Sequence, residues 1–92
     1  MGTKLKRSFK IINQKGLHAR ASAKFVETVE LFDASVEITK DGLNTCGNSI
    51  MGLLMLAASQ GTSIDVEIHG AQSTELADAL ETLISNRFGE DH

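Results

Sequence analysis

Residues Thr62 to His69 alternate strictly: Ile64, Val66 and Ile68 are apolar, while Asp65, Glu67 and His69 are polar. Successive side chains of a strand point to opposite faces, so this segment makes a strand with one dry face and one wet face. No other feature constrains the fold as tightly. A sheet of such strands must be covered on one side only, and helices from elsewhere in the chain must provide the cover.

The rest of the sequence supplies both kinds of element. Between Leu5 and Ile12, Leu5, Phe9 and Ile11 share one parity and Lys6, Ser8, Lys10 and Ile12 the other. Arg7 interrupts the apolar parity, so the outer end of this strand is expected to fray. Ser35 to Lys40 sets Val36 and Ile38 against Ser35, Glu37 and Thr39. Asp41-Gly42 follows, a hairpin signal because both turn positions need positive φ. Leu43 to Gly47 is then the returning strand.

From Ala19 to Glu30 the period changes: Ala19, Ala23, Phe25, Val26 and Val29 mark one side of an amphipathic helix, with Lys24, Glu27 and Glu30 between them. Ser49 is placed to cap a short, nearly all-apolar helix from Ile50 to Ala57, in which Leu53, Leu56 and Ala57 are expected to pack into the core. Gly52 inside that helix costs about 1 kcal/mol relative to Ala. A last helix runs from Ser73 to Phe88 on the stripe Leu76, Leu80, Leu83, Ile84 and Phe88, and Gly89 ends it ahead of a polar tail, Glu90-Asp91-His92. The order is β-α-β-β-α-β-α. This predicts an α+β, two-layer sandwich, a four-stranded antiparallel sheet covered on one face by three helices, with residues 1–92 forming one domain.

Composition narrows the function. Nine Lys and Arg against twelve Asp and Glu give a net charge of −3, the wrong sign for neutralising nucleic-acid phosphates. With no Trp or Tyr and only four Phe, the chain also lacks stacking platforms for single strands. One cysteine, Cys46, cannot form an intramolecular disulfide, which fits a reducing compartment. Lys6 breaks the myristoylation pattern that Met1-Gly2 would start, no secretory apolar region follows the N-terminus, and the apolar run Ile50 to Ala58 is too short to span a bilayer. A cytoplasmic chain with no membrane attachment, expected to be monomeric, is the resulting expectation. His69 and His92 lack ligand-like partners, so no metal site is expected. The glycines form no nucleotide-binding fingerprint.

Chemistry concentrates in Gly16-Leu17-His18-Ala19-Arg20. A histidine at a helix N-terminus meets free N–H groups and a dipole that disfavour imidazolium, so the ring stays neutral and nucleophilic. The same groups attract an anion placed on the ring. Arg20 adds a charge-assisted donor fork, and Gly16 admits close backbone approach. On spacing alone the plainer reading, a solvated capping His18 beside a surface Arg20, is the stronger.

The whole pattern changes that balance. From about Phe9 to Leu83 the sequence resembles the histidine-containing phosphocarrier proteins (HPr) of the bacterial phosphoenolpyruvate-dependent phosphotransferase system. The anchors are Gly16-Leu17-His18-Ala19-Arg20, Asn48-Ser49-Ile50-Met51-Gly52-Leu53-Leu54, and the gap between them. The resemblance implies an open-faced β-sandwich, phosphorylation of His18 on Nδ1, assistance from Arg20, and support of the phosphoryl group by Gly16 and Ala19. It implies enzyme I as donor, an EIIA-type domain as acceptor, and a stoichiometric carrier rather than an enzyme, with no cofactor of its own. Ser49 matches a serine modified by a bifunctional kinase/phosphorylase in some bacteria, although Asn48 stands where that family usually has Lys. Ile50, Met51 and Leu54 match a partner-binding surface, and such an apolar patch could also serve a regulatory binding module with Ser49 as its switch. The stretches Asn48-Ser49-Ile50, Leu53 to Ser59 and Phe88-Gly89-Glu90-Asp91 are similar to the nitrogen-branch carriers (NPr), which widens the expected use from sugar uptake to nitrogen and carbon regulation. The family normally has Pro directly after the Arg; here Ala21 follows Arg20. Because Glu90 and Asp91 hold much of the net negative charge, the face carrying Lys15, His18, Arg20 and Lys24 is expected to be locally positive.

Overall fold

The computed structural model describes residues 4–92. Met1-Gly2, read above against a lipidation pattern, lies outside them. The elements are β1 (Lys4–Lys10), α1 (Ala19–Glu30), β2 (Ser35–Lys40), β3 (Leu43–Cys46), α2 (Ile50–Met55), β4 (Ser63–His69) and α3 (Ser73–Ser85), then a short 3-10 turn at Arg87–Gly89. The strands form one antiparallel sheet in the order β1-β4-β2-β3. This is the open-faced α+β sandwich expected from the alternating strands.

Register explains why one face is dry. Leu5, Ile68 and Val36 lie side by side across three strands, and Arg7, Val66 and Ile38 form the next row. On the opposite face Lys4, His69 and Ser35 line up, then Lys6, Glu67, Glu37 and Cys46. A one-residue slip would exchange these sets, so burial specifies the pairing. The helices pack on the dry rows, with Phe25, Leu53, Leu76, Leu80 and Phe88 fully buried among them.

Several expectations need correcting. β1 does not fray at Arg7: it pairs with β4 along its length, from Lys4 opposite His69 to Lys10 opposite Ser63. The Arg7 guanidinium reaches over the core edge to Glu81 at 3.2 Å and Asp78 at 3.8 Å on α3. Its aliphatic stem thereby stays on the apolar row while its charge stays wet. α2 ends at Met55, and Ala57, expected in the core, is exposed at a φ of 51°; Ala58 is buried in its place. α3 stops at Ser85 rather than Phe88. Arg87 and Phe88 take φ of 54° and 55°, which breaks the helix and turns Phe88 inward.

The Asp41-Gly42 hairpin forms as read, with φ of 51° and 82° and Lys40 opposite Leu43. Ser49 caps α2, its Oγ accepting from the Gly52 N–H at 3.0 Å. Gly52 has a packing reason: a Cβ there would lie 1.8 Å from Thr45 Oγ1, so α2 can lie close against β3. Among the described residues, no helix is long and apolar enough to cross a membrane.

Candidate functional site

The loop from Asn13 to His18 follows β1 and feeds α1. Three contacts fix its shape. The Gly16 N–H donates to Asn13 O at 3.2 Å, the Leu17 N–H donates to Ala58 O at 2.9 Å, and the Asn13 side-chain Nδ2 donates to Gly16 O at 2.9 Å. Gly16 is buried with a φ of +66°, and a Cβ on it would lie 2.4 Å from Ala58 O. A side chain is therefore excluded twice, by conformation and by space.

His18 is the N-cap residue of α1, but its side chain does not cap the helix. Its backbone carbonyl accepts from the Ser22 N–H at 2.8 Å. Among the described residues, the N–H groups of Ala19, Arg20 and Ala21 find no acceptor. The helix thus presents open donors and the positive end of its dipole beside the imidazole. Ala19 and Arg20 are exposed on this first turn, while Ala21 is fully buried. Arg20 makes no ion pair among the described residues; it lines a cleft with Gln14, Lys15, Gly89 and Glu90.

The sequence reading missed the far side of the site. Glu90 is no free tail: its side chain is only 12% exposed, with Oε2 on His18 Nε2 and Oε1 accepting from Asn13 Nδ2 at 2.9 Å. The path to it is anchored. Phe88 is in the core, its carbonyl accepts from Lys24 Nζ at 2.6 Å, and beyond Glu90 the His92 carbonyl accepts from the Gln14 N–H at 2.9 Å. The face expected to be locally positive therefore also carries a carboxylate, against the imidazole itself. His18 Nδ1 has no hydrogen-bond partner among the described residues.

Burial alone would raise the Glu90 carboxyl. Hydrogen bonds from Asn13 and His18, with the charges of His18 and Lys15, outweigh it and hold the group below its ordinary value of 4.5. A carboxyl lowered on folding contributes stability that is complete above its unfolded value and disappears as pH falls through its folded value. The Glu90 side-chain carboxyl resonance should accordingly titrate with a midpoint below 4.5. A midpoint above that pH would contradict the carboxylate assignment.

The remaining residues sort by place. Lys15, Leu17, His18, Ala57, Ala58 and Ser59 line a shallow depression that joins the histidine to the end of α2. Along α2, Ile50 is exposed, Leu54 half-buried, Met51 69% exposed and Met55 72% exposed. Met55 belongs to this apolar surface although the sequence reading placed only Ile50, Met51 and Leu54 there. Ser49 sits at the start of the same helix, with its hydroxyl engaged in the cap. Among the described residues, no group of three or more His, Cys, Asp or Glu side chains converges as a metal site would.

Comparison with known proteins identifies the family of the chain. The family profile described as "PTS HPr component phosphorylation site" matches residues 5–86. The phosphocarrier protein HPr of Neisseria meningitidis serogroup A is 51% identical over 86 residues, covering 94% of this chain and 97% of that protein. The HPr of Cupriavidus necator is 45% identical over 86 residues, with the same coverage of 94% and 97%. Among solved structures, HPr-C-His from Thermoanaerobacter tengcongensis superposes with a TM-score of 0.90 at 35% identity, covering 96% of this chain and 99% of that one.

Proposed function

The chain belongs to the HPr family of phosphocarrier proteins of the phosphotransferase system, and on that premise we propose that it takes a phosphoryl group from phosphorylated enzyme I onto His18 Nδ1 and passes it to an EIIA-type domain. The observation that carries this reading is the state of the His18 ring: Nε2 is held by Glu90, Nδ1 has no hydrogen-bond partner among the described residues, and the residue itself caps a helix whose first-turn N–H groups are open. A phosphoryl group on Nδ1 gains helix N–H donors and the dipole, and Arg20 stands on the same turn to supply a further charged donor. Gly16 keeps the loop close enough to the α2–β4 connection for this arrangement to hold.

The chain acts as a stoichiometric intermediate in the cytoplasm, as a monomer and without a cofactor; any Mg²⁺ requirement belongs to enzyme I. Ile50, Met51, Leu54 and Met55 form the docking surface beside the histidine, where methionines adapt to more than one partner. Ser49 is the candidate regulatory serine for a kinase/phosphorylase. A phosphate there would add negative charge at the edge of that surface and weaken acidic partners.

Incubation with enzyme I and phosphoenolpyruvate, followed by intact-mass measurement, tests the assignment. The wild-type chain should gain one acid-labile phosphoryl group and His18→Ala none. A His18→Ala chain that is still modified removes His18 from this role. Offering the phosphorylated carrier to sugar-type and nitrogen-type EIIA domains then decides between sugar uptake and nitrogen or carbon regulation. The exposed α2 surface also favours a second reading, a regulatory module that binds partners regardless of phosphorylation. In that case His18→Ala keeps its partners in a pull-down.

A further inference from the structure

We infer that Glu90 is a positioning residue for phosphoryl transfer, holding the proton of the neutral His18 ring on Nε2 so that the reactive lone pair lies on Nδ1. The inference depends on the reading of His18 as phosphoryl acceptor and adds to it a residue from the opposite end of the chain.

Asn13 sets the direction of the hydrogen bonds. Its Nδ2 faces two oxygens, Gly16 O and Glu90 Oε1, each at 2.9 Å. Both are acceptors, and only the amide nitrogen has the two protons to meet both. Asn13 is fully buried, so its amide has no competing solvent partner to turn toward. Glu90 Oε1 therefore accepts a hydrogen bond from Asn13, and Oε2 is left to the imidazole. An ionised carboxylate only accepts. Nε2 must then carry the proton, and the neutral ring keeps its lone pair on Nδ1.

The transfer step balances around this arrangement. The Nδ1 lone pair forms the bond to phosphorus, and the bond from phosphorus to the donor breaks, its electron pair leaving with the donor. The Nε2 proton stays in place. The ring gains a positive charge as the bond forms, and Glu90 faces that charge from a mostly desolvated position, where the attraction is less screened than in water. Glu90 thus selects the nucleophilic nitrogen and favours the phosphorylated ring.

Amide chemistry provides a test with an unusual order of effects. In Glu90→Gln, Oε1 still has to accept from Asn13, which leaves the NH₂ group to meet the imidazole. An NH₂ group donates, so Nε2 becomes the acceptor and the proton moves to Nδ1, where it blocks attack. A carboxylate-to-amide change beside a reactive histidine traps the wrong tautomer by the same logic. Glu90→Ala removes the contact and leaves the tautomer free. The near-isosteric Gln should therefore do more harm than Ala; a residue with only a packing role would show the reverse.

Nitrogen-15 spectra of the neutral ring report the tautomer without any transfer, and initial rates of phosphoryl uptake from phosphorylated enzyme I report the consequence. We expect Nε2–H in the wild type, Nδ1–H in Glu90→Gln, and uptake slowed at least about tenfold in Glu90→Gln, with a smaller loss in Glu90→Ala. Retention of the Nε2–H form by Glu90→Gln, or slower uptake by Glu90→Ala than by Glu90→Gln, overturns the inference. A wild-type chain that accepts no phosphoryl group instead sinks the carrier reading, and the ring spectra still decide whether Glu90 sets the tautomer.

Discussion

Phe88→Ala should lower the unfolding free energy by about 3–5 kcal/mol, the range for removing a buried aromatic ring and leaving a cavity. Phe88 is fully buried and reaches the core only because the chain leaves α3 through two left-handed residues, Arg87 and Phe88 itself. Each such non-glycine residue costs about 1–2 kcal/mol, so the burial of this ring must offset a strained path. Removing the ring takes away the gain and leaves the strain. Urea denaturation should show a lower midpoint with an unchanged slope, and Phe88→Leu should lose less, about 1.5 kcal/mol or under. The consequence reaches beyond stability. Phe88 is the anchor from which Glu90 extends to Asn13 and His18, so the Asn13 amide resonances should broaden in Phe88→Ala. An unchanged midpoint would show that the ring is replaceable by its neighbours.

Gly16→Ala carries the second large effect, through the loop rather than the core. Its Cβ would sit 2.4 Å from Ala58 O and 2.9 Å from Ser59 Cα, at a φ of +66°. Both obstacles are backbone, and the bond from the Leu17 N–H to Ala58 O fixes the spacing between the two segments at 2.9 Å. Relief therefore requires that bond to lengthen and the loop to swing away, carrying His18 with it. We expect a loss of about 2–4 kcal/mol from overlap and positive φ together, and a fall in phosphoryl uptake that exceeds what partial unfolding explains. Gly42→Ala is the matched control. Gly42 has a φ of +82° but nothing within 4 Å of a built Cβ, so it should cost only about 1–2 kcal/mol and leave uptake unchanged. Equal effects at the two glycines would show that conformation alone, and not the approach to Ala58, matters at Gly16.

The pairs and segments legible in the sequence share one property: their signal is local. The alternation in β4, the Asp41-Gly42 hairpin, the Ser49 cap and the span of α1 each follow from neighbouring residues, and each stands where its pattern placed it. For His18 and Arg20 the local spacing alone favoured a solvated cap beside a surface charge, and only the resemblance over the whole pattern made them the candidate site. What was missed is non-local or a matter of competing local choices. Glu90 meets His18 across 72 positions, and nothing in Phe88-Gly89-Glu90 distinguishes a docked carboxylate from a solvated one. Asn13 reads as an ordinary loop residue until both of its acceptors are in place. The end of α3 went wrong because the helical stripe extends to Phe88 in sequence, while the ring reaches the core by leaving the helix. Met55 was overlooked on α2 because a short helix that is apolar almost all round does not reveal its outward side.

The strand order β1-β4-β2-β3 gives the fold a sequence in time as well as in space. β4 lies between β1 and β2 yet is synthesised after both. As the chain emerges, α1 and the β2–β3 hairpin can form from local contacts, but β1 has no neighbour until residues 63–69 arrive. Closing that pairing spans most of the chain, which is the slow kind of contact to make. His18 is made well before the side chain that meets its Nε2, which comes 72 positions later. A nascent chain therefore displays its histidine well before it can complete the surroundings of that ring, and the site waits on the emergence of Glu90.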